Sequence, residues 1–86
     1  MQVEFKPAAA KEFLALDRQL QVYFKSHLEK LSAMPPRRHL RFGLPHHVED
    51  VTRQARLVFD IEGDVLSVVH CFATHKEYEK WYKSFK

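Results

Sequence analysis

Glycine and cysteine are nearly missing from this chain. Its 86 residues include two glycines and one cysteine. A single cysteine, Cys71, excludes an internal disulfide and any paired-cysteine zinc motif. It sits in an apolar run and reads as a small buried hydrophobe, which suits a reducing cytoplasm. Two isolated glycines, Gly43 and Gly63, leave no glycine-rich loop to cradle phosphates, which argues against a nucleotide-hydrolysing enzyme. There is no nucleophile elbow for Ser-His-Asp hydrolysis. No apolar run approaches the ~20 residues of a membrane span. The opening Met1-Gln2-Val3-Glu4-Phe5-Lys6 is strand-like rather than a secretory leader, so a soluble cytoplasmic protein is expected. Histidine is plentiful, at six. However, His39, His46, His47 and His70 form no compact ligand motif, and neither metal nor cofactor is expected.

What is present suffices for one folded domain over residues 1–86. Forty-five per cent of the residues are hydrophobic, with seven Phe, three Tyr and one Trp. A chain of this length buries roughly 60–65% of its unfolded surface, so its core is small. The net charge of +3 is unevenly spread. Residues 1–43 carry eight basic and four acidic side chains, against six and seven in residues 44–86. The local basic cluster is Arg37, Arg38 and Arg41, behind Pro35-Pro36. It is either a solvated loop or the electrostatic footprint of an anionic partner.

The pattern predicts the order β-α-α-β-β-β-α, an α+β domain. Val3 and Phe5 alternate with polar residues, and Pro7 ends that strand and opens a helix. Phe13, Leu14 and Leu16 begin an apolar stripe. Asp17 either caps a second helix or lies within a continuous one. Leu20, Tyr23, Phe24, His27, Leu28 and Leu31 recur at helical spacing on one face, and Pro35-Pro36 stops the helix. A loop over residues 35–46 leads to a second strand from about His46 to Thr52, with Arg53-Gln54 as a tight connection. The third strand, Ala55 to Ile61, places Ala55, Leu57, Phe59 and Ile61 on one face. Arg56, Val58 and Asp60 fall on the other. Glu62-Gly63-Asp64 reads as a hairpin turn. The fourth strand, Val65 to Phe72, is apolar enough for a central position, and strict alternation puts His70 with Leu66, Val68 and Phe72. Thr74 and Glu77 form a capping box for a closing helix from His75 to about Ser84. The last three strands should form an antiparallel meander, with the helical pair on one face of the sheet.

Arg56 opening the third strand, the hairpin Leu57-Val58-Phe59-Asp60-Ile61-Glu62-Gly63-Asp64, the His75-Lys76 junction and the tyrosines that follow resemble the RelE/ParE superfamily of type II toxin–antitoxin toxins. The resemblance spans nearly the whole chain and is specific from Val48 to Tyr82. It implies a ribosome-dependent mRNA endonuclease that attacks through the 2′-hydroxyl in the ribosomal A site. It also implies a cognate antitoxin that covers the site, in a toxin–antitoxin hetero-oligomer.

Metal-free cleavage of this kind needs a base, an acid and positive charge on the phosphate. Arg56 suits the phosphate, or it pairs with Asp60 further along its face. His75 suits an acid or base, or is simply a helix N-terminal residue. Lys76 suits the phosphate, and Tyr82 suits proton donation or base stacking. Tyr78 competes with Tyr82, because helical spacing leaves open which ring faces the sheet. Some RelE-type relatives carry paired lysines on the second strand, where this chain has His47 and Glu49. That pair reads as a base with its orienting group, similar to the acidic residue of the YoeB-type branch, or as a sign of altered or lost cleavage. Arg37, Arg38, Arg41, Lys80 and Lys83 are the expected RNA contacts, which position without reading sequence. Two rival readings share this fold: a ParE-like protein that inhibits DNA gyrase without catalysis, and a catalytically silent binding partner of an antitoxin.

Overall fold

Local signals set most of the element boundaries. The computed structural model describes residues 1–33 and 46–84, so Arg37, Arg38 and Arg41 lie outside the described residues. Strand β1, Gln2–Phe5, ends at Lys6, and Pro7 takes the first position of helix α1, Pro7–Ala15. Asp17 then acts as a cap: its Oδ1 accepts from Leu20 N–H at 2.9 Å, opening α2 at Arg18–Ala33. Strand β2 is His47–Asp50, shorter than expected at both ends, and β3 is Arg56–Glu62. The intervening turn is held by Thr52, whose hydroxyl accepts from Gln54 N–H at 3.2 Å and Ala55 N–H at 3.0 Å. Strand β4, Val65–Phe72, follows a tight turn in which Gly63 takes φ +58°, a conformation other residues adopt only at a cost. Helix α3, His75–Lys83, opens with the expected capping box: Thr74 Oγ1 accepts from Glu77 N–H, and Glu77 Oε1 from Thr74 N–H, both at 3.2 Å.

The sheet order is β1-β4-β3-β2. The antiparallel meander of β2, β3 and β4 is as expected, and β1 adds to it parallel to β4, with Gln2 opposite Val65 and Phe5 opposite Val68. The helical pair covers one face, where Phe24, Leu28 and Leu31 of α2 and Ala9 and Leu16 around α1 pack on Leu57, Phe59, Leu66, Val68 and Cys71. Helix α3 covers part of the other, with Tyr78 buried against Val48, Val58 and Phe72. Two members of the expected helical stripes are instead exposed, Leu14 at 76% and Tyr23 at 42%. Among the described residues, no helix is long and apolar enough to cross a membrane.

One departure from strict alternation reorganises the α3 face. Val58 pairs with His70 but Phe59 pairs with Val68, so Val69 is an extra residue, a β-bulge. Beyond it the parity of β4 inverts. Cys71, not His70, joins Leu66 and Val68 in the larger core. His70 and Phe72 turn to the α3 face and stack at 4.8 Å between ring centroids. The expectation that His70 shares a face with Leu66 and Val68 is therefore corrected.

Candidate functional site

The sheet divides the expected site residues between its faces. His47 lies opposite Phe59 in the β2–β3 register and stacks on that ring at 5.2 Å, on the side of α1 and α2. Glu49 is on the same side, 2.8 Å from His27 Nδ1 of α2. Arg56, His75, Tyr78 and Tyr82 lie on the opposite side with α3. The His47–Glu49 pair shares a strand face as expected, but that face is turned away from the other candidates.

Arg56 has the predicted face and a different environment. It is 9% exposed, because Tyr78 closes over it with its ring centroid 5.9 Å from the guanidinium carbon. Its Nη1 donates to the carbonyls of Thr52, Arg53 and Ala55 at 3.0, 3.1 and 3.0 Å. Nε lies 3.1 Å from Asp50 Oδ1, so the acidic neighbour is Asp50 rather than Asp60. The guanidinium thus knits the β2–β3 turn from beneath α3, instead of standing open on a sheet surface.

Burial shows which of the two tyrosines faces the sheet. Tyr78 is 1% exposed and is the core ring of this face, whereas Tyr82 lies tilted against it at 5.0 Å between centroids and stays partly exposed. His75 meets Tyr78 edge-on at 5.7 Å, and its backbone N–H donates to Gln54 Oε1 at 3.3 Å. Lys76, Lys80 and Lys83 are exposed along α3, with Lys83 3.9 Å from Glu79.

Trp81 is the hub of this face. Its ring lies 5.8 Å from Phe72, 5.7 Å from His46 and 5.3 Å from His70. Both histidines carry a carboxylate on Nδ1. For His46 it is Asp60 Oδ1 at 2.6 Å. For His70 it is Glu12, reaching from α1 with both oxygens at 3.1 Å. Glu12 Oε1 also accepts from Cys71 N–H at 2.9 Å, beyond the stretch of β4 that β1 covers. Asp60 was placed on the correct face by alternation. The His70 pairing was hidden by the bulge, and no local pattern links Glu12 to a strand 58 residues away.

Beside this pair, a concavity of about 360 Å³ opens between α1 and α3, lined by Glu12, Phe72, Glu77 and Lys80 among others. A larger groove of about 500 Å³ lies elsewhere, between β1 and the helical pair. Among the described residues its lining of Val3, Phe5, Phe13, Leu14 and Leu28 is apolar, with only Lys25 and Glu29 charged. Among the described residues, no group of three or more His, Cys, Asp or Glu is placed to hold a metal ion.

Cys71 supplies a pH-dependent test of this packing. Burial, reinforced by the Glu12 charge, pushes its thiol from an ordinary 9.0 up to about 12. A pKa raised on folding stabilises the native state below the unfolded value. That contribution fades as pH climbs from about 9 toward 12. Between pH 8 and 11 wild type should lose on the order of 2 kcal/mol more stability than Cys71→Ala, measured by urea unfolding. Parallel loss in the two proteins would contradict the burial argument.

This α+β architecture, a four-stranded mixed sheet with a helical pair on one face and a short helix on the other, is the fold of the YoeB/ParE toxins. A YoeB dimer from Staphylococcus aureus superposes with a TM-score of 0.71 at 13% identity, over 84% of this chain and 94% of the other. A YoeB/ParE toxin from Agrobacterium tumefaciens gives 0.69 at 13% identity, covering 84% and 96%. The YoeB–YefM complex from Staphylococcus aureus gives 0.67 at 11% identity, covering 84% and 94%. No protein-family model and no curated protein matches the sequence. The fold expected from the RelE/ParE resemblance is borne out.

Proposed function

We propose that this protein is the toxin of a type II toxin–antitoxin pair, and that it acts as a metal-independent, ribosome-dependent endoribonuclease. The observation that carries the reading is the α3 face. On a YoeB-like fold, imidazoles and aromatic rings gather beside a row of exposed lysines. Rings of this kind stack on unpaired bases, and lysines hold the backbone without reading sequence. Trp81 and the partly exposed Tyr82 are the stacking surfaces, and Lys76, Lys80 and Lys83 the phosphate contacts, joined by Arg37, Arg38 and Arg41. Arg56 and Tyr78 act as the support on which α3 sits. His47 and Glu49, on the other face, take no part in the chemistry. The natural partner is an antitoxin, as YefM is for YoeB in the solved complex.

The test is primer extension on mRNA in a reconstituted translation reaction, beside naked mRNA and a DNA-supercoiling assay. Cuts within codons at the A site that require ribosomes are the expected result. Intact mRNA with inhibited gyrase would replace this reading by the non-enzymatic one. Intact mRNA and uninhibited gyrase from a folded sample would point to a silent antitoxin partner.

A further inference from the structure

We propose that β1 is the interface of a homodimer, in which the edge strands of two copies pair antiparallel about a two-fold axis at Phe5. Among the described residues, β1 stands at the end of the sheet order β1-β4-β3-β2. All four of its residues are exposed. Gln2 N–H donates to the Asp64 carbonyl and Lys6 N–H to that of Val68, both at 2.9 Å. The even-numbered residues thus turn their backbone groups to β4. Alternation along the strand turns the N–H and C=O of Val3 and Phe5 outward, to the open edge. Lys6 keeps an extended backbone, with φ −67° and ψ 155°, so the edge runs through it. Helix α1 then leads away from the edge, with Glu12 reaching inward to His70 and Cys71 of β4.

The side chains of this edge complement a second copy of themselves. On the helical side, Val3, Phe5 and Leu14 are exposed and line the same apolar groove. Phe5 rests edge-on against Phe13 at 5.4 Å. Apolar side chains grouped beside an open strand edge mark a place where another strand adds. On the other side, Glu4 and Lys6 stand two residues apart, and among the described residues neither has an ion partner. A two-fold axis perpendicular to the sheet keeps each face with itself, and it can pass through Val3, Glu4 or Phe5. An axis at Glu4 sets the two Glu4 carboxylates directly opposite each other, which is repulsive. An axis at Val3 sets Glu4 against the neutral Gln2 and leaves Lys6 unmatched. An axis at Phe5 sets Glu4 of each copy against Lys6 of the other. It also lets the two Phe5 backbones exchange N–H···O=C bonds, and their rings meet as an aromatic pair. That register satisfies edge backbone, apolar groove and charge together. The two four-stranded sheets then join into one of eight strands, with both α3 helices on the same side of it.

The experiment is sedimentation velocity of the full chain at concentrations from about 10 μM to about 1 mM, the range in which a small interface assembles. Wild type should move from the 10.2 kDa monomer toward twice that mass. Glu4→Lys and Lys6→Glu should each weaken association by roughly tenfold or more, because each sets like charges opposite one another at two places. Mixed in equal amounts, the two variants should associate with each other about as tightly as wild type, since every facing pair is then of opposite charge. The double variant Glu4→Lys/Lys6→Glu should recover association in the same way. A folding defect in either single variant does not produce such recovery. Wild type that stays monomeric at every concentration overturns the proposal. So does a dimer that neither single variant weakens, or a mixture no more dimeric than its components.

Discussion

Tyr78→Ala is expected to remove about 3–5 kcal/mol of stability, the range for deleting a fully buried aromatic ring. A domain of this size has roughly 5–10 kcal/mol in all, so the variant should be largely unfolded or should have α3 detached. The ring is 1% exposed and packs with Val48, Val58 and Phe72 in the smaller core. It also contacts His75, Trp81 and Tyr82 and lies over Arg56. Tyr82→Ala is the comparison. That ring is partly exposed, and its loss should cost about 1 kcal/mol or less. Urea unfolding of both variants decides the matter. Equal costs would mean that α3 is not anchored by Tyr78.

Arg56→Ala should cost about 2–3 kcal/mol, because a charged donor is removed from several backbone carbonyls at once. All three of those carbonyls belong to the β2–β3 turn, and Asp50 loses the guanidinium beside it. Asp50 is 51% exposed, so water relieves part of that loss. Arg56→Lys keeps a cation with three donors near the same carbonyls and should come within about 1 kcal/mol of wild type, again by urea unfolding. If Arg56→Ala proves as stable as wild type, the turn does not depend on the guanidinium. A loss of cleavage in Arg56→Ala must therefore be read beside its stability, because this arginine sits under α3.

Several features were legible because they depend on neighbours in sequence. The Thr74–Glu77 cap, the turn at Gly63 and the alternation of Leu57, Phe59 and Ile61 each need only a few adjacent residues. Other features depend on distant contacts that local patterns do not encode. The Val69 bulge arises in the pairing of β4 with β3, and one extra residue moves every later side chain to the other face. That shift brought His70 to Trp81 and took Cys71 into the larger core. Tyr78 and Tyr82 are equivalent in helical spacing, and only the docking of α3 on Val58 and Phe72 separates them. Arg56 was assigned to the correct face, but alternation carries no information about a helix closing over that face. Much of the candidate site was thus visible as residue types, while its partnerships were not.

The parallel pairing of β1 with β4 ties the start of the chain to residues synthesised late. Gln2 waits for Val65 and Phe5 for Val68, so the sheet cannot be completed until the third and fourth strands exist. Contacts this far apart in sequence close slowly, after the entropy of a long loop has been overcome. The face that carries Trp81, His46 and His70 is assembled by the same late strands. A nascent copy therefore holds this face in pieces for most of its synthesis.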